Sequence, residues 1–414
     1  MMTTNSVLQH SQDHNTSWFE EKRKNALASA ETGAEPLRGK QEIGMLSLEG
    51  FSVAALLKNS AQHSTQILHI PQSLVCLPLE EALTNPHYAA LIQSTFGTII
   101  PIDNNKFHAL HYGYAHDILF VYVPRGLETQ EPLHIKRFLS TTTSISHILI
   151  IAEPLSKLIV MDEQESTHTN RGYVSTFVEA VVKEGADVQF VGIHNHGTGI
   201  DHNCIKKADV RKDGKIAWVE AYFGSNYTRS IVTATLHDDG GSSTNTTVFF
   251  AEGTSKYDIM ARTIQVGKHT YADMNTIGVV ADKAKSMCRG LIKIAPSSFG
   301  SSGHQKIKTL LMNRDAQANA IPSMEIDNFD VRATHESSVG QISKDKLFYL
   351  MSRGLDEHHA RMKIVEGYFN QLTKLIPDKN VEQKIGSLIK QKLHAEEGEE
   401  EVFLEEQEEG VSYA

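Results

Sequence analysis

Between Asp117 and about residue 335 the chain is a succession of short β-branched runs broken by turn residues, with scarcely a window that holds a helical period. The breaks include Glu184-Gly185, Asp213-Gly214, Asp239-Gly240-Gly241, Glu252-Gly253, Asp282-Lys283 and Arg314-Asp315. In the second half of the segment they recur about every 13 to 15 residues. That spacing leaves room for one or two strands and a corner but not for a crossover helix, which removes the doubly wound α/β solution. A β-sandwich and a β-solenoid remain. The solenoid is slightly favoured, because its coils stack each strand on its counterpart in the next coil and tolerate irregular polar corners without hairpin turns.

The flanks read differently. Residues 17–31, SWFEEKRKNALASAE, have a capping serine, early acidic residues and good helix formers, and residues 40–100 mix short apolar runs with Pro71, Pro78 and Pro86. The expected organisation is an N-terminal helical or α+β region over 1–100, a β-core over 101–342, a helical domain over 343–395 and an acidic tail over 396–414. Ser343 is placed to cap a helix that stops at Gly354, Asp356 to cap the next, and a third follows at 381–395. Leu347 to Met351 are apolar on every side of the first of these helices. This predicts a buried helix capping the open end of the β-core, or else a face kept for a partner.

The net charge of -10 is largely local, since residues 396–409 carry nine glutamates and no basic residue. Such a tail predicts mobility, with Phe403 and Leu404 as a weak docking point. No basic stripe suggests nucleic acid, no apolar run suggests a membrane span, and the N-terminal residues lack the features of a secretion leader, so the cytoplasm is expected. Cys76, Cys204 and Cys288, odd in number and widely spaced, fit a reducing compartment.

Recognisable catalytic motifs are missing: no GxxxxGK[ST], GxSxG or HExxH occurs, and GSSGHQKIK (300–308) has its glycine, serine and lysine in the wrong order to cradle a phosphate. The chain is therefore expected to hydrolyse no nucleotide on its own. GIHNHGTGIDHNC (192–204) holds His194, His196, His202 and Cys204, but its loose spacing and glycines read as an exposed polar loop, with a metal site as the minority reading. His358 and His359 read as solvated residues near a helix start. His335 is the better metal candidate. With Glu336 it offers at most two ligands, short of the four of a closed site, so the others would come from another chain.

Residues 321–369, IPSMEIDNFDVRATHESSVGQISKDKLFYLMSRGLDEHHARMKIVEGYF, closely resemble the C-terminal part of the SufB/SufD family of iron–sulfur cluster assembly scaffolds. The resemblance joins Pro322, Glu325 and Ile326, the Asp330-Val331 corner, His335, S-V-G-Q-I, L-F-Y-L-x-S-R-G and a closing G-Y-F. DILFVYVPRGLETQEPLHI (117–135) and SMCRGLIKIAPSSFGSSGHQ (286–305) extend it over roughly residues 100 to 370. It implies a right-handed parallel β-helix flanked by helical regions, pairing with a SufB-like paralogue and docking a SufC-like ABC ATPase that hydrolyses the ATP. The family's SufB-type cysteine, six residues before the proline, is Ala316 here, so the chain is most similar to SufD. The resemblance implies that His335 and Glu336 lie at an interface where iron or a nascent cluster is held, and that Phe348, Tyr349, Met351 and Arg353 dock the ATPase. The His-Glu pair itself is SufB-like, which leaves a self-pairing homodimer as an alternative. Two further classes are a polysaccharide-active β-solenoid and a stand-alone metal-binding protein using residues 194–204.

Overall fold

A computed structural model of the protein describes residues 17–30, 63–102, 104–139, 143–167, 169–373, 379 and 381–392. The tail with Phe403 and Leu404 lies outside these. Two short strands, β1 (His63–His69) and β2 (Val75–Pro78), lead in. Then follow β3 (Asp117–Val123), β4 (Leu133–Leu139), β5 (Thr143–Ala152), β6 (Lys157–Glu165), β7 (Gly172–Val182), β8 (Asp187–His196), β9 (Ile200–Val210) and β10 (Lys215–Gly224). The series continues with β11 (Tyr227–Leu236), β12 (Ser242–Ala251), β13 (Lys256–Gln265), β14 (Tyr271–Val280), β15 (Lys285–Ile294), β16 (Ser302–Leu311), β17 (Gln317–Ile326) and β18 (Arg332–Gln341).

Strands alternate between two nine-stranded sheets, one ordered β1-β4-β6 through the even strands to β18, the other β2-β3-β5 through the odd strands to β17. Lys215 pairs in parallel with Ser242, Ser242 with Tyr271 and Tyr271 with Ser302. Each coil therefore carries two strands and two corners, which is why turn signals recur at half the coil length. The result is the parallel β-solenoid favoured from the sequence. Corner residues adopt the conformations their types permit: Gly185, Gly240 and Gly253 take positive φ, as do Asp213 and Asp282.

Period-two alternation divides each strand between a lumen and an outer face. Val121, Ile150, Val178, Val188, Phe190, Val210 and Trp218 fill the lumen near its N-terminal end. The outer face of the odd sheet is covered by helices α1 (17–30), α2 (Leu79–Ala82), α3 (Pro86–Thr95) and α4 (Lys106–Tyr114), whose Ile92, Phe96 and Tyr112 join Phe120, Leu149, Phe177 and Ile205 in one apolar cluster. α5 (Lys344–Ser352) follows the last strand, and α6 (Glu357–Thr373) and α7 (381–392) cover the even sheet. There Val365, Phe369, Ile385 and Ile389 pack with Val191, Val219, Phe250 and Ile277.

Ser343 caps α5 through the Lys346 amide, Gly354 takes a positive φ after it, and the His359 amide donates to Asp356 at the start of α6. Before residue 100, β1 pairs antiparallel with β4 and β2 with β3, extending both sheets. One reading needs correction. Helix α5 is not buried: none of its residues is, because α6 and α7 already cover the sheet and only Leu347 packs against their cluster. No helix among the described residues is long and apolar enough to cross a membrane.

Phe190 is buried against Trp218, with ring centroids 5.6 Å apart, in the lumen. Phe190→Ala is expected to cost about 3–5 kcal/mol, read as a lower denaturant midpoint with red-shifted Trp218 emission.

Candidate functional site

The two ends of the solenoid are built differently. At the C-terminal end β17 and β18 are the last strands of their sheets, and nearly every residue of both is exposed or half-buried. His335 stands in register with Gln305, which is buried in the lumen, and two residues earlier Ala333 packs with Ile292 and Met324. His335 therefore continues the lumen-facing column and sits at its open mouth. Glu336 does not accompany it. Neighbouring residues of a strand point to opposite faces, and Glu336 lies on the outer face, 3.3 Å from Lys306 and 3.1 Å from Lys308. Hydrogen bonds from Lys308 and Lys306 hold its carboxyl below the ordinary range. The pair thus cannot chelate one ion, which corrects the two-ligand reading. Ala316 is buried just before β17.

Beyond this end α5 presents an apolar face to solvent. Phe348 is 73% exposed, Tyr349 56% and Met351 40%, and the Arg353 guanidinium lies 5.3 Å from the centre of the Tyr349 ring.

Deep in the lumen the structure overturns another expectation. His194 and His196 lie on β8 and His202 and Cys204 on β9, all four buried, so the segment is no exposed loop. Gly197 and Gly199 only turn the corner between the two strands. The overlooked signal is spacing by two: H-x-H before the corner and H-x-C-x-K after it put all five side chains on one face of their strands.

Lys206 and Glu220 complete this layer, with Lys206 Nζ 2.6 Å and 2.7 Å from the two Glu220 oxygens. Burial works against the Lys206 charge, but the Glu220 carboxylate more than offsets it and keeps the ammonium pKa above its usual value. Gly192 leaves room for the pair, since a Cβ there would come within 2.4 Å of Lys206 Nζ and 2.6 Å of Glu220 Oε2. Tyr222 donates to Glu220 Oε2 at 3.0 Å and stacks on His194. Burial holds His194 and His202 well below the usual imidazole range, lowers His196 to about 3, and pushes the Cys204 thiol up to about 12.

A second buried polar chain, unforeseen from the sequence, lies under α4. His111 Nδ1 is 2.8 Å from Ser175 Oγ, its Nε2 is 3.2 Å from His147 Nδ1, and His147 Nε2 is 3.3 Å from Glu179. Glu179 accepts from the Gly97 and Ile100 amides at 2.8 Å each. His108 nearby is lowered to about 4, chiefly by burial.

Burial depresses His108 and His111 in the folded state, so their contribution is present above the unfolded pKa of about 6.5 and is lost as pH falls towards the folded values. The denaturant midpoint is expected to fall steadily between about pH 6.5 and 4. His108→Gln should flatten that fall, and a midpoint constant over this window would contradict it.

Comparison with known proteins agrees with the architecture. Residues 136–368 match the family model described as SUF system FeS cluster assembly, SufBD core domain. The iron-sulfur cluster assembly protein SufD of Bacillus subtilis (strain 168) is 26% identical over 298 residues, 71% of this chain and 68% of that protein. A SufBD family protein of Staphylococcus saprophyticus is 27% identical over 290 residues, and one of Staphylococcus aureus (strain USA300) 26% over 301. The matches span 69% of this chain but 62% of each of the two staphylococcal proteins, under two thirds of their length. Because the family model covers more than half of the sequence, the chain belongs to the SufB/SufD family of iron–sulfur cluster assembly proteins, and within it is most like SufD.

Proposed function

We propose that the protein is a SufD-like scaffold subunit, acting in the cytoplasm, that pairs with a SufB-like paralogue through the open C-terminal end of its solenoid and docks a SufC-like ABC ATPase on α5. The observation that carries this reading is the exposed terminal coil with His335 at the mouth of the lumen. Two edge strands of ten residues each, last in their sheets among the described residues and carrying exposed Ile326 and Val339, are a pairing surface of the kind that proteins otherwise blunt. Family membership supports a partner that carries the thiolate this chain lacks at Ala316.

In this scheme iron or the nascent cluster is cargo. His335 contributes one imidazole, a donor suited to Fe(II), while thiolate and sulfide come from the partner's side. Glu336 serves the interface through its two lysines and not as a ligand. Nucleotide hydrolysis belongs to the ATPase, whose closure would move the paired solenoids through α5. The exposed Phe348, Tyr349 and Met351, with Arg353 over the Tyr349 ring, form the docking face.

His335→Ala is expected to leave folding and complex formation unchanged and to lower the rate of cluster assembly in the reconstituted complex; an unaltered rate removes His335 from the chemistry. Tyr349→Asp with Met351→Asp should abolish ATPase capture while the circular dichroism spectrum is preserved, since neither side chain is buried. Capture of a second copy of this chain in place of a cysteine-bearing paralogue would replace heteromeric pairing with self-pairing.

A further inference from the structure

The histidine layer in the lumen is not used by the interface chemistry above. One ring nitrogen from each of His194, His196 and His202 lies within 4.8 Å of those of the other two, and all three residues are buried. His194 Nε2 is 3.3 Å from Glu220 Oε2, and His202 Nε2 is 3.4 Å from Thr176 Oγ1. That leaves Nδ1 of His194, Nδ1 of His202 and both nitrogens of His196 buried without a hydrogen-bond partner. Buried polar atoms are nearly always satisfied, so four orphaned nitrogens in one layer call for an occupant. The occupant faces imidazole nitrogens from several directions at once, an arrangement suited to a transition-metal ion; an ordered water is the competing occupant, which metal analysis distinguishes.

We propose that His194, His196 and His202 form a closed binding site for one divalent transition-metal ion of the imidazole-preferring kind, Zn(II) or Fe(II), inside the solenoid. A carboxylate or hydroxyl on the far nitrogen of a ligating histidine fixes ring orientation and raises basicity, and Glu220 and Thr176 stand in those places. Cys204, whose sulfur lies within 4.8 Å of a ring nitrogen of His194, is the nearby group able to supply negative charge. Glu220 is excluded as the anionic ligand because both its oxygens are taken by Lys206. Nitrogens around a tetrahedral ion stand roughly 3.3 Å apart, given metal–nitrogen distances of about 2.0–2.1 Å. Side-chain rotation closing the triangle by up to about 1.5 Å therefore completes the site. Two ligands come from β8 and one from β9, so the ion would clip a single corner of the coil and tie the even sheet to the odd one. The proposal concerns the isolated chain and is independent of partner pairing.

The test is metal analysis of the full chain in a His335→Ala background, which removes the terminal imidazole, after expression in medium supplemented with cobalt, zinc or iron and gel filtration in chelator. One equivalent of ion per chain is expected, and the element retained distinguishes zinc from iron. The cobalt form should show tetrahedral ligand-field bands and X-ray absorption fitted by three imidazole nitrogens. His196→Gln and His202→Gln should each lower metal content by about tenfold or more. A chain that folds but retains no ion under any supplement overturns the proposal, as does retention undiminished in the histidine variants. If those variants fail to fold, the absorption spectrum of the parent chain decides, because an ion without three imidazole ligands is bound elsewhere.

Discussion

The structure depends on in-register stacking of parallel strands. Because Lys215, Ser242, Tyr271, Ser302 and Arg332 lie in one continuous ladder, any inward residue is repeated by an inward residue in the next coil. A register slip of one residue would send the lumen set outward and the outer set into the lumen. The lumen is thus assembled from columns, and the character of each column is fixed by alternate positions in the sequence. Where the columns are apolar they form an ordinary core, as around Phe190 and Trp218. Where they turn polar, the charged groups find partners within one or two coils.

That requirement explains the composition of the central layers. Arg137 pairs with Asp117 at 2.8 Å and with Asp162, Gln164 donates to Asp162 at 3.0 Å, and Thr176 donates to Gln164 at 3.1 Å. Lys206 and Glu220 form a similar pair, with Glu220 two coils beyond Asp162 in the same ladder. Burying such pairs gains little net stability over an apolar core, since desolvation offsets the attraction, whereas removing one partner alone is costly. Outside the lumen, the covering helices isolate these layers from solvent: α1 to α4 on the odd sheet and α6 and α7 on the even one.

The two ends of the coil stack differ, and the difference carries the functional reading. At the N-terminal end β1 and β2 pair antiparallel with the first coil and the helices pack beside them. At the C-terminal end β17 and β18 pair only with β15 and β16, and no strand among the described residues follows them in either sheet. Helix α5 turns Phe348, Tyr349 and Met351 to solvent. The imidazole of His335 and the exposed apolar residues of α5 thus both lie at the C-terminal end.

Turn spacing of 13 to 15 residues without helices narrowed the β-core to a sandwich or a solenoid and slightly favoured the solenoid, and the caps at Ser343 and Asp356 were legible because they act within a single helical turn. The sequence also singled out His335. It misread residues 192–204, since glycines around four potential ligands look like a loop until the register shows that they turn one corner of a coil. It misread α5 as buried, because apolar content cannot say whether neighbouring helices have already covered the sheet. Only the tertiary structure decided that His335 and Glu336 part to opposite faces and that His194, His196 and His202 meet across two sheets. Such meetings depend on which strands become neighbours, and that is a property of the stacked chain and not of any segment within it.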